Sequence, residues 1–595
     1  EVRRKETNRE ARRQEDGAHK RDVGEAPGRQ TTGTEENRGE ENRKKEIGAP
    51  LRIVAALLAG LLVAACSRVG DSGAGSDTGG RHAWTKPHVL RIGSQNPPNT
   101  LDPLLAANTT EAMIDRLMFD GLVSIDPTGT KQVPILAAVV PTLQNGGISP
   151  DGLTITYRLR DNVRWHDGVK FTSADVAFSW RAIMSSNNNV VSRTGYELVK
   201  SVDTPNATTV VFHMKRRFAP FVNTVFGESD SQYEVVPEHL LGKLHDINQI
   251  PFNSNPIGTG PFKFGEWARG DHLTLVPNDD YFLGKPKLEQ IVIKFIPDEN
   301  TELNQLRTHD LDWQFEASPQ EYKELQTIPD LKIVLQDTNQ YERVQMNLAH
   351  PPLDDRRVRQ AIAYAVDRTK LVDDLTFGSA VAADQDLPPF MWAHASDISR
   401  YPPDIAKAKA LLAAAGWTPG PDGVLVKDGR RFALDLAFNG TNTTRRAGVV
   451  QMQAMLAAVG IRVDVKSYQG ALLFATAGQG GILQGGHFDL AWSGWVSGID
   501  PDNSSTVTCA ARPPNGNNVM LYCNEEVDAA ENDALDHFDI PTRKRAYATI
   551  EKILTHDEPQ IPIWWPRQLQ PINPDFKNFS PNPVTESWNA YTWDI

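Results

Sequence analysis

The stretch that most restricts the fold runs from Pro150 to Val176. Within it, Thr154-Ile155-Thr156-Tyr157-Arg158-Leu159 alternates polar and apolar side chains with period two, the pattern of a strand with one buried face. Asp151-Gly152 before it and Trp165-His166-Asp167-Gly168 after it read as turns. Phe171-Thr172-Ser173-Ala174-Asp175-Val176 then opens a helix. Thr172 stands at the N-cap, Asp175 is placed to close a capping box, and Phe171 and Val176 have the spacing of a hydrophobic staple. A half-buried strand feeding a capped helix is a building unit of an α/β lobe.

Similar units recur along the chain. Leu90–Ser94 reads as a strand and Thr110–Leu122 as a helix with Ile114, Leu117 and Met118 on one face. Ile291–Ile296 reads as a buried strand, Val344–Asn347 as a strand and Arg357–Val372 as one helix ending near Asp374. Asp404 caps a helix over 405–415 that Gly416 stops. Phe432–Phe438 is a strand, Gln451–Val459 a helix and Ile461–Val465 another strand. The chain has 595 residues, too many for one core, so two or three α/β lobes are expected.

The start of the chain is of another kind. Residues 1–48 are rich in Arg, Lys, Glu, Gly and Asn, cannot bury enough surface to fold, and are expected to be disordered. The chain begins with Glu1 rather than Met, which points to a misassigned or truncated start. Lys44-Lys45 and Arg52 precede the apolar run Ile53–Ala65, which is too short for an ordinary membrane span and fits the core of a signal peptide over 49–65. It ends in Val63-Ala64-Ala65-Cys66, which resembles the lipobox of bacterial lipoproteins. That resemblance implies cleavage before Cys66, lipid on its thiol and a membrane-tethered product; an ordinary signal peptide or a buried helix is the alternative. Residues 66–87, with the Gly- and Ser-rich run Gly70–Gly80, read as a slack tether.

Charge and motifs exclude several functions. The net charge is -13, with the acidic excess beyond residue 65, whereas a general nucleic-acid binder needs basic surface to displace counterions from phosphates. Neither a phosphate loop nor a Gly-x-Ser-x-Gly elbow occurs. His239 and His245 lie six apart, not at the four-residue spacing that puts two metal ligands on one helix face. His166-Asp167 lies in a turn, and Gly258-Thr259-Gly260 before Pro261 reads as a turn rather than a nucleotide site. No catalytic residue, metal ligand or cofactor is expected, and the chain reads as a binder rather than an enzyme.

Pro150–Gly168 with Phe171–Val176 resembles the signature region of the bacterial extracellular solute-binding proteins of family 5, which bind oligopeptides, dipeptides and nickel. Further matches follow in order: Gly258–Phe262, Arg356–Ile362 with Ala365–Arg368, Ala408–Leu412 with Ala415–Trp417, Trp495 with Asp500-Pro501, and Gln560–Trp564. The resemblance covers nearly everything after residue 88. It implies an α/β, two-lobe fold of the periplasmic-binding-protein type II kind, with an extra subdomain inserted in lobe one and a two-strand hinge. On that template lobe one takes 88–120, 256–340 and 556–595, the inserted subdomain takes 121–255, and lobe two takes 341–555.

The resemblance also implies a role: a monomeric, exported receptor that captures solute in the interlobe cleft and delivers it to ABC permease subunits driven by separate ATPase subunits. In peptide-binding relatives the ligand lies extended and pairs its main chain with both lobes. The corresponding segments here are Ala107-Asn108-Thr109 and Gly494-Trp495-Val496, where Gly494 leaves room for a close backbone. Relatives place an Asp just after the Trp strand for the peptide's amino group. Here Ser497-Gly498 stands there, and Asp500 is the nearest substitute. Trp492 occupies the place of an Arg that tripeptide binders use for the ligand carboxylate, so Trp492 and Trp495 point to a longer, blocked or more apolar ligand. Alternatives on the same fold are a metal chelate, haem, opine or sugar, or a non-transport peptide sensor or chaperone. In an exported chain Cys509 and Cys523 are expected to pair, with two free thiols the alternative.

Overall fold

The computed structural model describes residues 80–228 and 233–595. The signal-peptide reading, Cys66 and most of the tether lie outside the described residues. Among the described residues no helix is long and apolar enough to cross a membrane.

Two mixed sheets organise the chain. The first runs, edge to edge, Lys332–Asp337, Arg567–Ile572, Trp313–Gln314, Val89–Ser94, Gln290–Phe295, His272–Pro277 and Phe262–Ala268. Val89–Ser94 lies parallel to Gln290–Phe295, with Leu90 opposite Ile291 and Ile92 opposite Ile293, and all four side chains are fully buried. The second sheet runs Val381–Ala382, Gln560–Trp565, Gln340–Met346, Leu490–Val496, Ala433–Asn439 and Arg462–Tyr468. Each sheet has its own apolar core, one built around Leu90, Trp313 and Trp593, the other around Val344, Trp492 and Ile563. A third core joins helices Glu525–Asp536 and Ile540–Asp557 through Val527, Tyr547 and Ile550.

The chain passes between the sheets twice. Lys332–Asp337 ends in the first sheet and Gln340–Met346 begins in the second; Gln560–Trp565 ends in the second and Arg567–Ile572 begins in the first. The crossings lie side by side: Asp337 pairs with Arg567, and the Thr338 hydroxyl donates to the Pro566 carbonyl at 2.8 Å. These are the two strands of a hinge, as the two-lobe fold requires.

Between Val89–Ser94 and Phe262–Ala268 the chain leaves the first sheet and forms a three-stranded antiparallel sheet of Thr154–Arg158, Thr209–Met214 and Val199–Asn206, backed by helix Ser173–Met184. Thr172 and Asp175 form the reciprocal capping box, and Phe171 and Val176 are both buried beside it. His166 ties this signature block to the Gly-rich crossing. Its Nδ1 accepts from the Gly258 amide at 3.1 Å, so Nε2 carries the hydrogen and donates to the Gly260 carbonyl at 3.0 Å. Burial pushes its pKa down to about 4, which keeps the ring neutral in this clamp. Gly258 and Gly260 pass so close to the end of helix Thr109–Met118 that a Cβ on Gly258 would lie 1.8 Å from the Met118 carbonyl oxygen.

Three element readings change. The helix expected over 110–122 ends at Met118, because Leu122 leaves to donate its amide to Phe226. The helix expected over 357–372 is two, Arg356–Ala365 and Arg368–Leu375; Asp367 breaks it by capping the second through the Lys370 amide. The helix expected from Gln451 starts at Thr443, because Asn442 caps a polar first turn that carries no apolar period.

Cys509 and Cys523 form a disulfide, and Asn518 inside the loop donates to the Thr508 and Tyr522 carbonyls at 2.8 Å. Replacing both cysteines by serine should lower stability by about 3 kcal/mol, read as a fall in Tm that a reducing agent reproduces in the wild type and not in the variant. Gly258→Ala should cost about 3 kcal/mol or more, because the obstructing atom is main chain and cannot swing away; an unchanged Tm would contradict this packing.

Candidate ligand-binding cleft

The hinge brings the ends of several elements from both sheets to one cleft. Strand Leu490–Val496 pairs with the crossing strand along its whole length, from Met346 opposite Leu490 to Gln340 opposite Val496. On its other side, Ala433–Asn439 accompanies it only through Leu490, Ala491 and Trp492. Past Trp492 that side has no strand partner among the described residues, so Ser493–Val496 presents an open edge. Beyond it the chain is pinned: the Ser497 amide donates to the Asn339 carbonyl at 2.9 Å, and the Asn339 side chain donates to the Ser497 carbonyl.

Period two decides which side chains of this strand meet the cleft. Trp492 is fully buried in the second lobe's core, with its ring against Gly448 and its Nε1 donating to Glu342 Oε2 at 2.8 Å. The expected ligand contact at Trp492 is thereby corrected to a core position. Gly494 lies on the same face. Arg445 grips Glu342 there through Nε at 2.9 Å and a second nitrogen at 2.7 Å, and a Cβ on Gly494 would fall 2.7 Å from the guanidinium. The space expected for a ligand backbone at Gly494 is occupied on this face by the Arg445–Glu342 pair. Trp495 faces the other way, partly buried, with the Arg343 guanidinium over its ring at 5.1 Å, and Val496 is exposed.

Asp500 is also corrected. It is buried, and both its carboxylate oxygens accept from Arg543, one of them at 2.8 Å. Arg543 is held in turn by the Ala534 carbonyl at 2.9 Å and lies over the rings of Trp392 and Tyr547. A carboxylate already neutralised in two bonds has no charge left for a ligand ammonium group.

On the first lobe, Asn108 caps helix Thr109–Met118 in a capping box with Glu111. Glu111 also accepts the amides of Ala107 at 2.7 Å and Asn108 at 3.2 Å, and the Asn108 carbonyl accepts from Ala112. The Thr109 hydroxyl donates to Glu316 at 2.7 Å.

Two cavities lie along the cleft, the smaller one lined by the first lobe and the hinge. A small one of about 60 Å³, at the hinge, is lined by Thr109, Glu316, Asn339, Gln340 and Glu586 among others. A larger one of about 470 Å³ has Trp392, Asp500, Phe538 and Arg543 on one side and Ile125, Pro141 and Leu143 on the other. Direct contacts flank them. The Ala219 amide donates to the Leu535 carbonyl at 2.7 Å, and the Gln320 side chain donates to the Thr444 hydroxyl at 2.6 Å.

Glu316, Glu586, Glu342 and Arg445 were not expected from the sequence. Glu316 follows a strand of two residues, and Glu586 sits in an irregular closing segment, so neither carries a local pattern. Burial, and after it the charge of Glu316, pushes Glu586 up to about 7; burial also raises Glu316, against the Thr109 hydrogen bond. Among the described residues no group of three or more His, Cys, Asp or Glu is placed to hold a metal ion.

Residues 133–517 match the family model described as bacterial extracellular solute-binding proteins, family 5 Middle. The oligopeptide-binding protein AppA of Bacillus subtilis is 27% identical over 511 residues, covering 85% of this chain and 91% of its own. The structure of that protein in complex with a nonapeptide superposes with a TM-score of 0.68 at 27% identity, over 85% of this chain and 99% of that one. NikZ from Campylobacter jejuni, in complex with Ni(L-His), superposes with a TM-score of 0.70 at 26% identity, over 86% of this chain and all of that one. The chain belongs to the family 5 bacterial extracellular solute-binding proteins, the non-catalytic substrate-binding components of ABC importers.

Proposed function

We propose that the cleft takes an extended peptide, an oligopeptide or a dipeptide, by main-chain pairing, and that the hinge closes over it. The observation that carries this reading is the open edge of Ser493–Val496. A strand with a partner on one side only offers amides and carbonyls to any extended chain, whatever its side chains. On the opposite lobe the Ala107 and Asn108 amides are engaged by Glu111, so the ligand meets that segment through the Ala107 carbonyl and Thr109. Trp495 packs beside the ligand chain and Val496 borders it. AppA, whose structure holds a nonapeptide, supports a peptide of some length.

The receptor is exported and held at the membrane by lipid on Cys66, and it delivers its solute to permease subunits with separate ATPases. A second reading keeps the fold and changes the solute to a metal chelate or other non-peptide. It is favoured by the engagement of Asp500, the carboxylate nearest Trp495-Val496, with Arg543, and by NikZ, whose structure holds Ni(L-His).

Native mass spectrometry of the purified protein, with release of the bound solute, separates the two. Mixed peptides are expected, and a single non-peptide species would overturn the peptide reading. Asp500→Ala should lower stability by about 3–5 kcal/mol, because Arg543 is left buried and unpaired. Peptide affinity should change by no more than about threefold; a larger loss at intact stability would return Asp500 to the ligand. Metabolic labelling with a radioactive fatty acid should mark the wild type and not Cys66→Ala.

A further inference from the structure

The charged groups around the cleft differ in one respect. Glu342 is matched by Arg445 and Asp500 by Arg543, each through two hydrogen bonds. Glu316 and Glu586 line one cavity of about 60 Å³, and no Lys, Arg or His lines it with them. Their hydrogen bonds come from neutral groups, the Thr109 hydroxyl at 2.7 Å and the Gln570 amide at 3.2 Å. Two carboxylates that share a cavity without a cation repel each other, which favours the protonated form.

A second feature of the cavity points the same way. Asn339 is 6% exposed and lines the cavity. Its Nδ2 is used by the Ser497 carbonyl, and its Oδ1 accepts from none of the described groups. The remaining polar lining includes the Gln340 and Gln568 side chains. The cavity is therefore rich in acceptors, and its volume of about 60 Å³ is more than one water molecule needs, enough for an ammonium or the edge of a guanidinium. It lies where Gln340 pairs with Val496 and where Thr109 bonds Glu316, between the two segments proposed to hold the ligand chain.

We propose that Glu316 and Glu586 receive a cationic group of the ligand, an ammonium or guanidinium, at the hinge end of the cleft, with Asn339 Oδ1 as a third acceptor. This rests on the proposed solute-binding role of the cleft and adds the charge of the solute to it. The ligand supplies the positive charge that the protein supplies to Glu342 and Asp500 elsewhere. Seating a cation displaces the proton that Glu586 holds near pH 7, so binding releases protons in that range.

The test compares the full-length wild type with the Glu316→Gln/Glu586→Gln double variant, both stripped of bound solute. The probes are a pool of random pentapeptides with free amino termini and the same pool acetylated at the amino terminus, and retained peptides are identified by mass spectrometry. The wild type should prefer peptides with a free amino terminus, Lys or Arg over uncharged acetylated ones by about tenfold or more, and the double variant should lose that preference while still retaining peptides. Equal preference in both proteins, or a wild type that favours neutral or acidic peptides, overturns the proposal and leaves the peptide reading intact. Should the wild type retain no peptide, the solute that copurifies with it decides. A cationic solute lost from the double variant supports the acidic seat, and a neutral or anionic one overturns it. The glutamines keep the side-chain shape and remove the repulsion, so the Tm of the empty double variant at pH 8 should equal or exceed that of the wild type; each single substitution repeats the selectivity assay should the pair fail to fold.

Discussion

Two extended segments, 337–340 and 565–567, join the two sheets side by side, and the rest of the molecule is arranged around that pair. The crossings pair with each other through Asp337 and Arg567 in a short two-stranded ribbon between the packed cores. The strands that leave the ribbon set what reaches the cleft. Gln340–Met346 fixes the register of Leu490–Val496, and that register puts Val496 beside the hinge and leaves the last turn of pleat without a partner on its other side. The same ribbon holds Asn339 and Gln340 at the floor of the small cavity, with Glu316 and Glu586 from the first lobe above them. In the proposed function this hinge lets the lobes close over solute without any change inside either core.

Charge in the cleft follows a simple physical rule. A carboxylate removed from water needs a cation, several donors or a proton. Glu342 and Asp500 have guanidinium partners supplied by Arg445 and Arg543, and these pairs are structural: one fills the space beside Gly494, and the other braces helix Ile540–Asp557 against the loop at Asp500. Glu316 and Glu586 have no such partner among the groups lining their cavity. Burial raises both, Glu586 to about 7, so the empty cleft gains stability as pH falls from there toward the ordinary carboxylate range and loses it as pH rises.

What the sequence made legible was local chemistry. Thr172 and Asp175 could be read as a capping box, Asp404 as a cap and Thr154–Arg158 as an alternating strand, because each signal sits within a few residues of the structure it controls. The resemblance to family 5 supplied the two-lobe fold that no local pattern contains. The site is less legible, for two reasons. The first is local: period two puts Trp492 and Trp495 on opposite faces of one strand, so they cannot both face one ligand, and the residue on the face of Gly494 packs into the core. The second is long-range. That Asp500 belongs to Arg543, 43 residues away, and that Glu316 meets Glu586 across the fold, are facts of tertiary packing. No spacing in the sequence encodes either.

The open edge of the second lobe is the proposed place where solute is held. Hydrogen–deuterium exchange with and without the solute that copurifies tests this most directly. Saturating solute should slow exchange in the peptides covering 493–496 and 107–109 and in the hinge ribbon at 337–340. Unchanged exchange in those three segments, with protection appearing elsewhere on the molecule, would contradict it.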